Sequence, residues 1–315
     1  MHLARAGHEA RLWGRDQALV ADMRRDRANT VYLRDIAFPK SLDLTASLDE
    51  ALAGAELVVS AVPSHGTRSI IHAASPFIPP GAIVVSATKG LEQDTLLRMS
   101  EVLAQELRAG VHVAVLSGPS FAAEMARQLP TAVSVASHDS QVVEHVQEEF
   151  RAPYFRLYGT ADVAGVEIGG ALKNVIAIAA GVAEGLGLGH NAQAGLITRG
   201  LAEMSRLACA AGARRETLAG LTGLGDLVLT CTGALSRNRQ VGLELATGRT
   251  LNEVLAGMKM VAEGVRTTEA ALALASRHGV ELPIAAQVAE LLAGRKDART
   301  ALYELMLRPQ RAEAG

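Results

Sequence analysis

A lysine inside an apolar helix has to be accounted for. Lys173 stands in Glu167-Ile168-Gly169-Gly170-Ala171-Leu172-Lys173-Asn174-Val175-Ile176, a stretch that is otherwise apolar, with glycines that let a neighbouring element come close. Desolvation lowers the pKa of a lysine toward neutrality, where exchanging a proton with an alkoxide oxygen is within its reach. A lysine that snorkels its ammonium to the helix edge is the other reading of the same residues. Only five of the 31 basic residues are lysines (Lys40, Lys89, Lys173, Lys259 and Lys296), so a lysine where a compact, titratable cation helps is informative.

Other polar residues sit where a site could form. Gly223-Leu224-Gly225-Asp226 puts a carboxylate in a glycine turn, and Ser236-Arg237-Asn238-Arg239 opens an expected helix. Arg237, Asn238 and that helix N-terminus suit a phosphate, while Asp226 suits a pairing with Lys173 or a substrate hydroxyl. Taken singly, each is equally a solvated or capping residue. Ser60-Ala61-Val62-Pro63-Ser64-His65 and Ser86-Ala87-Thr88-Lys89-Gly90 follow apolar runs. They therefore fall at strand C-terminal ends, where open α/β sheets place their ligand crevice. Lys89 is expected at that crevice, or else is a solvated loop charge. Ser117-Gly118-Pro119-Ser120-Phe121-Ala122 joins close backbone approach to a hydroxyl and free N–H groups, which suits an anion. A turn that starts the next helix, capped by Ser120, reads equally well. Trp13-Gly14-Arg15-Asp16 ends a strand at which a dinucleotide-binding fold offers an acid to ribose or a base to a 2′-phosphate. Arg15 fits NADPH there, or is an ordinary exposed arginine.

The elements that must hold these residues fall into two rhythms. Short β-branched runs at Glu9–Trp13, Leu57–Val62, Ala82–Ala87, His112–Leu116, Ala132–Ala136 and Tyr154–Tyr158 alternate with helical stretches, the pattern of a doubly wound α/β, Rossmann-like domain over residues 1–160. From residue 161 to 315 the period becomes about 3.6, with Ala-rich faces over Val163–Glu184, Ala192–Ala211 and Val265–Arg277, which predicts an all-α second domain. Ser47 with Glu50 and Thr250 with Glu253 read as capping boxes, Gly279 as a helix stop and Pro283 as a helix start. Gly185-Leu186-Gly187-Leu188-Gly189 and Gly220-Leu221-Thr222-Gly223-Leu224-Gly225 lie between helices, so neither is a dinucleotide loop; each reads as a helix-ending turn.

Composition narrows the function. Lys plus Arg number 31 against 33 Asp plus Glu, so no net field favours nucleic acid or an anionic membrane. Aromatic residues at 3% leave few stacking platforms for single strands. No apolar run approaches the roughly 20 residues of a membrane span, and two cysteines without CxxC spacing suggest neither a disulfide framework nor a zinc site. A small-molecule enzyme of the reducing cytoplasm is the expectation.

His2 to Gly7 reads as a helix end with a glycine cap that feeds the strand Glu9–Trp13, so the chain starts inside a βαβ unit. A dinucleotide-binding domain places its strand–GxGxxG–helix just before that point, and the strand is central in the 3-2-1-4-5-6 order. Its absence is expected to leave neighbouring strands unpaired in mid-sheet and to make folding poor.

These segments, in this order and with these spacings from Leu3 to about Arg308, resemble the bacterial-type NAD(P)-dependent glycerol-3-phosphate dehydrogenases. The resemblance implies that Lys173 takes the proton when glycerol 3-phosphate is oxidised and returns it in the reverse direction. It implies that Lys89, Gly118, Ser120, Asp226, Ser236, Arg237 and Asn238 contact the substrate, and that Arg15, Lys89, Ala122, Arg237, Val261 and Glu263 line an NAD or NADP site. The implied reaction is the reversible reduction of dihydroxyacetone phosphate to sn-glycerol 3-phosphate, a glycerophospholipid precursor, by a chain that is expected to be a homodimer and to insert in no membrane. The family begins with a strand and glycine loop, roughly twenty residues of which are expected before Met1. A related two-domain hydroxyacid dehydrogenase, or an inactive scaffold of the same fold, are the competing expectations.

Overall fold

The computed structural model describes residues 1–258, 262–310 and 312. Its first half runs α1 (His2–Arg5), β1 (Ala10–Trp13), α2 (Gln17–Asp26), β2 (Ala28–Asn29), β3 (Leu33–Ala37), β4 (Leu42–Thr45), α3 (Leu48–Leu52), β5 (Leu57–Ser60) and α4 (Ser64–Ala74). It continues with β6 (Ile83–Ser86), α5 (Met99–Glu106), β7 (His112–Ser117), α6 (Ala122–Ala126), β8 (Thr131–Ala136), α7 (Ser140–Glu149) and β9 (Phe155–Thr160). The second half is helical among the described residues: α8 (Val163–Gly185), α9 (Gly189–Ala210), α10 (Arg215–Ala219), α11 (Asp226–Thr232), α12 (Arg237–Ala246), α13 (Leu251–Ala256), α14 (Glu263–Arg277), α15 (Pro283–Leu292) and α16 (Ala298–Met306).

The five strands from β5 to β9 form one sheet in sequence order, parallel except where β8 runs against β7. All four residues of β6 are buried, as a β-branched run becomes when both faces of a parallel sheet are covered. β1 pairs with β4 in a separate parallel sheet, so the α/β layer is interrupted between that pair and the five-stranded sheet. α1 bridges the interruption: Ala4 packs with the β4 core and Leu3 against the core of the larger sheet. Three strands were not expected. The alternation of Leu42-Asp43-Leu44-Thr45 is the sign of β4, whereas β2 and β3 form a short, irregular pair with no legible period.

α8 is the axis of the second half. Of its 23 residues, 19 are buried, so every polar group it carries needs a partner. It is long and apolar enough to cross a membrane, but its apolar 18-residue window is 89% buried inside the protein. α12 crosses it backbone to backbone: a Cβ at Gly181 would lie 2.0 Å from the Arg239 carbonyl oxygen. The capping signals hold with one change. Thr250 and Glu253 form the full box, but Glu50 turns to the Thr45 hydroxyl (2.5 Å), leaving Ser47 as a one-sided cap.

Glu203 of α9, buried, accepts from the backbone N–H groups of Ile284 (2.8 Å) and Ala285 (3.4 Å) at the start of α15. Burial pushes its pKa up to about 7, against those two bonds. The folded chain thus keeps a proton that the unfolded chain releases near 4.5, so this group's contribution is largest below 4.5 and is lost as pH rises to about 7. Glu203→Gln keeps an acceptor and removes the titration. Its melting temperature relative to the parent is expected to improve from pH 5 to pH 8, and a constant difference would contradict this assignment.

Candidate active site

The C-terminal ends of β6 and β7 meet α8 and α11 at one buried ion cluster. Lys173 and Asp226 are 6% and 1% exposed. Lys173 Nζ donates to Asp226 Oδ1 and to Thr230 Oγ1 (2.8 Å), and the Thr230 hydroxyl donates to the Asp226 carbonyl (2.6 Å). Lys89 Nζ donates to the other carboxylate oxygen, Asp226 Oδ2 (2.6 Å), and to the Gly118 carbonyl (2.9 Å). One carboxylate thus lies between two ammonium groups. Gly118 can hold its carbonyl there because its φ is +146° and a Cβ would lie 2.9 Å from Val133 Cα.

Lys173 is therefore buried and fixed, not snorkelling. Its pKa is pulled down to about 7, first by burial and then by the charge of Lys89, with Asp226 pulling the other way. A group that titrates near neutrality and is oriented by two partners can give or take a proton. Asp226 is carried differently from the expectation. Gly220 ends α10 as its C-cap, but Leu221–Gly225 is a π-helical turn that runs directly on into α11, its glycines letting it press against the Leu218 carbonyl.

A second polar chain adjoins the first. Asn238 Nδ2 donates to Asn174 Oδ1 (2.9 Å), and Gly264 N donates to Asn238 Oδ1 (2.9 Å). Glu263 Oε1 and Oε2 accept from Ser64 N (3.2 Å) and the Ser64 hydroxyl (2.6 Å) at the start of α4. Asn238 is thus a buried bridge and not a solvated cap. Ser236 caps α12, its hydroxyl accepting from Arg239 N (3.2 Å). Arg237, the first residue of that helix, has its pKa held below the ordinary value by partial burial, against the pull of Glu263. Ser120 does not cap a helix: its hydroxyl donates to the Gly118 carbonyl (2.9 Å), and the N-cap position of α6 is Phe121, whose side chain makes no capping bond.

The ion cluster therefore gathers Lys173, Asp226, Lys89, Gly118 and Ser120, and the second chain holds Asn238 and Glu263. Arg15 and Ala122 are exposed, the one after β1 and the other at the start of α6, and neither bonds to the cluster among the described residues; Val261 lies outside the described residues. Thr230, Asn174 and Ser64 were not singled out from sequence. Thr230 stands four residues after Asp226, one turn along the same helix face, and that spacing is the signal that finds it.

The groups at the interruption between β1 and β5 fit a dinucleotide. Both β1 and β5 belong to parallel pairs, and the ligand crevice of open α/β sheets lies at the C-terminal ends of such strands. Arg15 follows β1, and the Ser60 hydroxyl at the end of β5 is buried with no partner among the described residues.

Residues 1–143 match the family profile for the NAD-dependent glycerol-3-phosphate dehydrogenase N-terminus, and residues 162–303 match the one for its C-terminus. The glycerol-3-phosphate dehydrogenase [NAD(P)+] of Geobacter metallireducens is 52% identical over 315 residues, covering 99% of this chain and 94% of that protein. That of Myxococcus xanthus is 52% identical over 77% of this chain and 73% of its own length. The crystal structure of glycerol-3-phosphate dehydrogenase from Coxiella burnetii superposes with a TM-score of 0.93 at 42% identity, covering 98% of this chain and 94% of that one. A ketopantoate reductase family structure from Ralstonia eutropha, at 17% identity and a TM-score of 0.57, shares the fold.

Proposed function

The chain belongs to the NAD-dependent glycerol-3-phosphate dehydrogenase family, and on that premise we propose how its residues carry the reaction of an NAD(P)-dependent oxidoreductase that interconverts dihydroxyacetone phosphate and sn-glycerol 3-phosphate. When bound, the nicotinamide cofactor exchanges a hydride with C2 of the substrate. Lys173 carries the rest of the proposal, because Asp226 and Thr230 take two of its three N–H groups and leave the third for the substrate oxygen. In reduction the cationic Lys173 gives its proton to the oxygen that develops negative charge at C2; in oxidation the neutral amine takes it back. Lys89, tied to Asp226 and the Gly118 carbonyl, adds a second cation beside that oxygen.

Arg237 and the N-terminus of α12 grip the phosphate, with Ser236 fixing the start of that helix. Asn238 acts through Asn174, which adjoins Lys173, so it positions more than it contacts. Arg15, Ser60, Arg237 and Glu263 are the described groups assigned to the cofactor. Cys209 and Cys231 are free thiols, which suits a reducing cytoplasm. Supply of glycerophospholipid precursor, and a homodimer measurable by sedimentation, belong to the same proposal.

The test is reduction of dihydroxyacetone phosphate, followed as oxidation of NADPH and of NADH in parallel. Turnover with the phosphorylated ketone and none with dihydroxyacetone supports the assignment. Equal turnover of both ketones would remove the phosphate grip from it.

A further inference from the structure

Four helices of the first half begin with no acceptor side chain of their own at the N-cap, and two of them borrow one from the second half. α4 starts after Pro63 and α5 after Arg98. In each case a carboxylate from the second half takes the free N–H: Glu263 at Ser64, and Glu167 at Ser100. Glu263 belongs to the site already described, but Glu167 has no part in the chemistry above.

The Glu167 carboxylate is 7% exposed. It accepts from Ser100 N (2.7 Å), the Ser100 hydroxyl (2.6 Å) and Arg98 Nη1 (3.2 Å). It stands on α8 six residues before Lys173, about 9 Å along the helix axis. Arg98 closes the segment that Lys89 begins: Leu91 and Arg98 bridge, Glu92 N donates to the Leu97 carbonyl (3.0 Å), and Leu91 is buried with Ile168 and Leu172 of α8. Glu167, Lys89, Gly170 and Ser117 line one small cavity.

We propose that Glu167 is a positioning residue for the lysine pair: by holding the 89–98 segment on α8 through Arg98 and Ser100, it keeps Lys89 Nζ against Asp226 and so fixes the charge environment of Lys173. This rests on Lys173 being the acid–base group. The charged and titratable groups that face Lys173 are Asp226 and Cys231 from α11 and Lys89 from the segment after β6; those around Glu167 are Arg98 and Glu101. The Cys231 thiol, pushed up to about 12 by burial, stays neutral throughout.

Two effects of Glu167→Gln have opposite signs. Loss of a carboxylate, acting only through its field, favours the neutral amine and lowers the Lys173 midpoint. Release of Lys89 removes a cation and leaves Asp226 to act on Lys173 alone, which raises it.

The full chain holds five lysines, so labelling with [ε-13C]lysine gives few enough signals to assign by single Lys→Arg changes. In the parent, Lys173 is expected to titrate near 7. In Glu167→Gln the midpoint is expected to rise by half a unit or more, and in Ser100→Ala by less, in the same direction. Circular dichroism checks that each variant is folded; if Glu167→Gln is not, Ser100→Ala decides by the sign of its shift. A parent midpoint near 7 that stays put or falls in the variants overturns the proposal alone. A parent midpoint at the ordinary lysine value removes the acid–base assignment and this proposal together.

Discussion

Lys173→Met lowers kcat about 10²- to 10⁴-fold in both directions, the range associated with a positioned proton donor and acceptor. Methionine matches the length of the lysine stem and leaves Asp226 paired with Lys89, so no buried charge is stranded. The fold should therefore persist. The pH profile carries the sign. Oxidation needs the neutral amine, so its rate in the parent rises through about pH 7, and reduction needs the cation, so its rate falls through the same region. Both limbs should vanish in the variant. Stability follows the same group: the folded chain has released a proton by about 7 that the unfolded chain keeps to 10.5, so the parent gains stability across that window and the variant lacks that gain. A variant that keeps kcat within tenfold of the parent would show that another group moves the proton.

Much of this was legible in the residues, and what was hidden has a common cause. The strands β5 to β9 follow from short β-branched runs and the helices α9 and α14 from the period of one buried face, while α8 follows from an Ala-rich apolar run that is buried on nearly every side. Lys173 stood out because a cation in an apolar helix breaks the local rule, and such breaks collect where function needs them. Asp226 was legible as a partner from its glycine turn, but the others were not, since a hydrogen bond from Lys173 to Thr230 spans 57 residues and one from Ser64 to Glu263 spans 199. Such contacts leave little local pattern beyond the placing of Thr230 one turn after Asp226 on the same helix face. The carboxylates that cap α4 and α5 show this most clearly: a search for caps looks one turn away, and these come from the other half of the chain. The π turn before Asp226 was hidden for another reason, because glycines permit many backbones and only packing against α10 selects one.

Asp226→Asn is expected to have the second-largest effect. The side chain keeps its shape but loses the charge between two ammonium groups, and stranding a buried charge costs about 3–5 kcal/mol unless a group neutralises. Lys173 offers that escape. Asp226 is the group that raises its pKa, so without it the midpoint falls below about 7, and both pH limbs move together to lower pH. The loss of stability is then greater at pH 6 than at pH 8, because the folded variant holds the lysine proton less tightly than the folded parent, and it shrinks as pH rises through about 7. Loss of orientation should lower kcat about 10²-fold in both directions. Lys89→Met acts in the opposite sense, since Lys89 is the nearest charge depressing Lys173, and it raises the midpoint. In the double variant Lys173 faces neither charge, so the repulsion created by Asp226→Asn is relieved and the double variant should be more stable at pH 6 than Asp226→Asn alone. Additive losses in urea unfolding at pH 6 would mean that the two lysines are not coupled through Asp226, and the shared carboxylate would have no role in setting the acid–base group.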